Sequence, residues 1–146
     1  MISTSTRPTS GERFAIRKLV WVGPLTIVVV ALVNLVVRTL AVSFFGVASS
    51  FVYLLAPFVI GSTVAFLLLA LLAFVLVGRA SSHPVRIFRI VAGVALLVSF
   101  LNPILLLAGL FPATGMNLHI FWTMIVMHCV SALITVSLLT TLAVEQ

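Results

Sequence analysis

The chain has 146 residues, of which 63% are apolar and 7% charged, and its mean hydropathy is +1.41. An ordinary soluble domain is about a quarter charged and under half apolar, so that class is excluded. The net charge of +6 arises from basic residues beside apolar runs, so it reads as a topology signal and no nucleic-acid partner is expected.

At ~20 apolar residues per bilayer crossing, the apolar content supports about four spans and falls short of six or seven. Residues 1–18 read as a flexible basic tail: the first eleven are rich in Ser and Thr, and Arg13, Arg17 and Lys18 stand directly before the first apolar run. The uncharged stretch from Leu19 onward is longer than the core of a signal peptide, and three further runs follow, so it is expected to be an uncleaved anchor. The four spans are expected over about 19–44, 53–78, 86–110 and 118–143 as one domain, followed by a short tail at 144–146.

Residues 39–56 admit two readings, because Phe44, Phe45, Phe51, Val52, Tyr53, Leu54 and Leu55 are too apolar for a free aqueous loop. Either the first helix continues to about Phe44 and turns at Gly46 to Ser50, or the segment lies in the membrane interface. Gly78 to Arg89, with His83 and Pro84, forms the next turn; Phe111 to Asn117, with Pro112 and Gly115, forms the last.

Lys and Arg accumulate on cytoplasmic flanks. Arg7, Arg13, Arg17, Lys18, Arg79, Arg86 and Arg89 fall on one side of four spans and Arg38 alone on the other. Both termini are therefore expected to be cytoplasmic, with Trp21 near the inner boundary and Trp122 near the outer one. Backbone polar groups find no water in hydrocarbon, so the spans must be helices. An up-down-up-down four-helix bundle, all-α and integral to the membrane, is the economical arrangement.

The informative positions are polar groups that the bilayer should exclude: Asn34, Arg38, Asn102 and His128, with weaker groups at Ser62, Thr63, Ser99, Ser131 and Thr135. Each helix carries its main polar group in its outer half. Asn34 and Arg38 are i and i+4, Ser99 and Asn102 are i and i+3, and His128, Ser131 and Thr135 are i, i+3 and i+7, so each set shares a face. The resulting expectation is an outer-half polar pocket formed by Asn34, Arg38, Thr63, Ser99, Asn102 and His128. Pro103 frees the carbonyl of Ser99 and permits a kink beside it. The bland alternative is that these groups are interhelical packing contacts and that Arg38 snorkels to the headgroups.

Several chemistries lack their parts. No Asp or Glu lies in any span, which removes proton coupling through an intramembrane carboxylate. His119, His128 and Cys129 have no nearby carboxylate, and no metal or cofactor is expected. The single cysteine excludes an intramolecular disulfide and leaves a dithiol cycle without its second thiol. A Ser99 and His128 pair has no orienting acid and no nucleophile turn.

Asn34 with Arg38, Arg79 through Pro84 to Phe88, Ser99 with Phe100, and Met127 with His128 together resemble a family of small four-span proteins, found mainly in actinobacteria, that carries a domain of unknown function. The resemblance implies the four-helix architecture and a bacterial inner membrane, and it supplies no activity. Three functional classes follow. The first binds a small polar or anionic group, such as a lipid headgroup, in the outer pocket. The second is a structural or accessory subunit whose polar residues only fix helix packing. The third is a membrane enzyme using His128 as acid or base. Membrane lipids are the expected partners, and a homo-oligomer or a membrane-protein partner is compatible with all three.

Overall fold

The computed structural model describes residues 13–14 and 16–145 and is helical almost throughout. Helix α1 spans Ile16–Phe44, α2 Ala56–Ala80, α3 Pro84–Ser99, α4 Leu101–Leu107 and α5 Leu118–Leu142. A two-residue antiparallel pairing joins β1, Arg13–Phe14, to β2, Val144–Glu145. Four helical stretches are long and apolar enough to cross a membrane: Arg17–Phe44, Ala56–Ala80, Pro84–Leu107 and Leu118–Leu142. Most of the flexible tail expected over 1–18 lies outside the described residues. Of the remainder, Arg13–Phe14 pairs with β2, and α1 begins at Ile16, inside the basic flank.

Chemistry local to each end explains where these helices start and stop. Pro57 and Pro84 occupy the first turns of α2 and α3, where a missing N–H removes no helical bond. Asn117 caps α5, its side chain accepting from the Ile120 N–H at 3.0 Å. The third stretch ends before residue 110. There the Gly109 N–H bonds the Leu106 carbonyl at 3.1 Å and the Leu110 N–H bonds the Leu105 carbonyl at 3.0 Å. This is a Schellman closure, and its left-handed position is filled by Gly109 with φ +73°. Between α3 and α4 the helix is interrupted at Phe100, three residues before Pro103, which offers no N–H to the Ser99 carbonyl.

The segment after α1 is neither a free loop nor a continuation of α2. Gly46, at φ +64°, reverses the chain, and a 3₁₀ turn follows at Val52–Leu54. Val47, Phe51 and Leu54 are buried against α1, α2, α4 and α5 in a cluster with Ala41, Val59, Leu106, Ile120, Met124 and Met127. Residues 45–55 thus fold down over one end of the bundle as an apolar cap. α2 consequently starts at Ala56 rather than at residue 53.

Around the bundle, α1 packs against α5 and α2, α2 against α3, and α3 against α5. At the end opposite the cap, a second apolar cluster gathers Val22, Phe74, Phe88, Leu139 and Ala143. The Phe74 and Phe88 rings meet edge to face at 4.9 Å and 84°, a favoured aromatic geometry. Gly23 lies against Leu71, where a Cβ would approach a methyl at 3.2 Å. Outside, Val20, Phe66, Leu69, Leu97 and Leu133 are exposed. Large apolar side chains that face outward from every helix suit a lipid environment and would be an aggregation hazard in water.

Candidate functional site

Between the two apolar clusters lies a polar layer. Asn34 projects from α1 into the bundle and is only 4% exposed, and Thr63 on α2 is 8% exposed. The Asn34 Nδ2 donates to Thr63 Oγ1 at 3.1 Å and to Ser131 Oγ at 3.0 Å. In return, the Ser131 hydroxyl donates to Asn34 Oδ1 at 3.2 Å. One carboxamide therefore ties three helices together and uses both its donors and one acceptor position. Nothing in this knot carries a charge. Its members are a short amide and two hydroxyls, which suit neutral hydrogen bonding at ~15 Å from the cap end of α1, ten residues along at 1.5 Å each.

The other expected pocket residues have separate partners. Arg38, one turn from Asn34 toward the cap, donates from Nε to the Leu54 carbonyl. Its chemistry is to fasten the cap to α1, because a buried carbonyl at the end of a 3₁₀ turn needs a donor. His128 lies one turn from Ser131 on α5 and is half-buried. Its Nδ1 donates to the Met124 carbonyl at 2.6 Å. Its ring also contacts Phe100, with centroids 6.4 Å apart. Ser99 donates to its own helix, to the Leu96 carbonyl at 2.6 Å.

Asn102 is exposed. Pro103 and Leu106 are the buried residues of α4, and no hydrogen bond joins the Asn102 amide to Asn34 or Thr63. The six residues expected at one pocket thus divide. Asn34 and Thr63 meet directly, Arg38 and His128 sit one turn from the knot with partners of their own, and Ser99 and Asn102 do not join it. Ser131, one of the weaker polar groups of the apolar runs and on the His128 face, is the third member of the knot.

Further polar contacts repeat the same economy. Thr26, Thr123 and Thr135 are buried, and each donates to the carbonyl four residues earlier, at 2.8, 2.8 and 2.7 Å. His119 Nδ1 donates to the Phe45 carbonyl at 2.6 Å, joining the start of α5 to the cap. Among the described residues, every buried side-chain nitrogen and oxygen has a partner. Ser99 and His128 each bond a carbonyl of their own helix, and among the described residues no hydrogen bond joins them. Among the described residues, no three His, Cys, Asp or Glu side chains gather in a group able to hold a metal. No known protein family, curated protein or solved structure matches this chain.

Proposed function

We propose that this chain is a structural or accessory membrane protein whose internal polar residues set the register of its helices. The observation that carries this reading is the closed knot of Asn34, Thr63 and Ser131. A headgroup pocket built on the same residues would need the Asn34 amide free to bind its ligand. Here the amide is engaged by the protein itself, which favours packing over ligand capture. Interhelical hydrogen bonds of this kind specify geometry more than they add stability, since each is worth ~0.6 kcal/mol on average in a membrane.

We further propose an up-down-up-down topology in a bacterial inner membrane, with both termini cytoplasmic. Contact order supports the topology. Arg13 pairs with Glu145, Asn34 with Ser131, and Phe45 with His119, so α1 and α5 meet in reverse sequence order. Arg17, Arg79, Arg86 and Arg89 are exposed at the end opposite the cap, as the positive-inside bias requires of a cytoplasmic end. Trp21 is 52% exposed and Trp122 57% exposed, at opposite ends of the bundle, where aromatic belts sit.

The test is a comparison of stability with ligand retention. Protein extracted gently from its own membrane is examined by native mass spectrometry, before and after Asn34→Leu. The packing reading predicts no bound small molecule lost on substitution and a lower unfolding midpoint. A retained polar molecule that disappears in the variant, with the midpoint unchanged, would replace it with the pocket reading.

A further inference from the structure

Asn102 presents a carboxamide on the outside of an apolar helix, and no described residue hydrogen-bonds it. Its depth follows from its neighbours. Phe100 contacts the ring of His128, which is six residues, or ~9 Å, along α5 from Trp122. Asn102 is two residues nearer the cap end, which puts it ~6 Å below the Trp122 level. An Asn side chain is too short to reach water from there, and an unsatisfied amide in hydrocarbon is costly.

The surroundings of Asn102 form a seam. Val91, Ala95, Val98 and Asn102 are spaced by four, three and four residues, and all four are exposed. Phe100, with φ −69° and ψ −18°, keeps the chain helical across the interruption, so the seam runs on from α3 into α4. This is the heptad spacing at which helices pair along a shared stripe, and a lone Asn at such a position fixes register and partner number. The span made by α3 and α4 also has 11% of its most apolar window buried, against 28%, 22% and 17% for the other three. It is the least buried of the four spans.

We propose that this face is the interface of a homodimer, in which the Asn102 amides of two copies exchange hydrogen bonds across a two-fold axis. A carboxamide is donor and acceptor at once, so it is its own complement, and a two-fold axis sets identical residues opposite each other. From Ile90 to Phe111 the chain carries no charge, so a charged partner finds no counterpart on this face. Ala95 in the middle of the seam allows close approach of the two helices. The interface is independent of the internal knot and does not require its packing role.

Single-molecule photobleaching of the full chain in lipid bilayers, at increasing dilution, tests the proposal. Wild type is expected to dimerise, Asn102→Leu to weaken association about tenfold, and Asn102→Gln to retain most of it. In a Cys129→Ser background, Val98→Cys is expected to give a disulfide-linked dimer on oxidation, while Leu133→Cys on the outside of α5 gives none. Circular dichroism and gel filtration confirm that each variant is folded. Single bleaching steps at every dilution, association unchanged by Asn102→Leu, or crosslinking of Val98→Cys to a different protein would each overturn it.

Discussion

Replacing Asn34 by Leu keeps roughly the same volume and removes every polar contact of the knot. Three hydrogen bonds are lost, which at ~0.6 kcal/mol each sums to about 2 kcal/mol. Part of this is recovered, because the Thr63 and Ser131 hydroxyls can turn to the carbonyls of Val59 and Met127. That is the i−4 pattern already used by Thr26, Thr39, Thr123, Thr135, Thr140 and Thr141. The buried leucine brings no hydrophobic compensation, since lipid is as apolar as the bundle interior. The net expectation is a loss of about 1–2 kcal/mol, a factor of about 5–30 in the folding equilibrium. Equilibrium unfolding in bicelles measures it, and a double-mutant cycle with Ser131→Ala isolates the pairwise part at about 1 kcal/mol. A control cycle of Asn34→Leu with Thr26→Ala should give no coupling, because Thr26 bonds only its own helix. Wild-type stability in Asn34→Leu, or zero coupling to Ser131, would refute the reasoning.

Further expectations follow from the same geometry. Arg38→Met removes the donor to the Leu54 carbonyl. A cysteine placed at Val47, buried in wild type, should then be labelled by a water-soluble maleimide several-fold faster in reconstituted vesicles; an unchanged rate would mean the cap is held by its apolar contacts alone. Phe74→Ala breaks an edge-to-face pair and should lower stability by about 1 kcal/mol or more, the order of such a pair's own worth, as read by the same unfolding assay. Single cysteines at Ser50 and Ser82, in a Cys129→Ser background, should be labelled from opposite sides of sealed vesicles; labelling from one side would contradict four crossings. Pro103→Ala restores a donor to the Ser99 carbonyl, so hydrogen exchange at residues 100–104 should slow, with little change in overall stability.

The physical reason the helices were readable is that apolar runs of bilayer length leave the backbone no alternative to helical bonding. Their rotation about their own axes was much less legible. Where a helix is apolar on all sides, no amphipathic phase tells inside from outside, and Asn102 shows the consequence. Its depth follows from counting residues, but that it is exposed while Leu106, one turn further on, is buried depends on how the neighbouring helices pack. His128 and Ser131 share one face three residues apart, and spacing alone did not say that the serine would meet Asn34. The cap was hidden for a different reason. Phe51 and Leu54 signal burial, but only the turn at Gly46 and the hold of Arg38 on Leu54 decide that they fold inward over the bundle.

A contact among α1, α2 and α5 joins the middle of the bundle. Solid-state NMR on uniformly labelled protein in bilayers reads that contact directly, through dipolar transfer between the Asn34 side-chain nitrogen and the Ser131 and Thr63 side chains. The 3.0 and 3.1 Å separations from Nδ2 to the two hydroxyl oxygens predict strong transfer to both residues and slow exchange of the Asn34 amide protons with water. Absent transfer, with those protons exchanging freely, would show an open polar cavity in place of a closed knot.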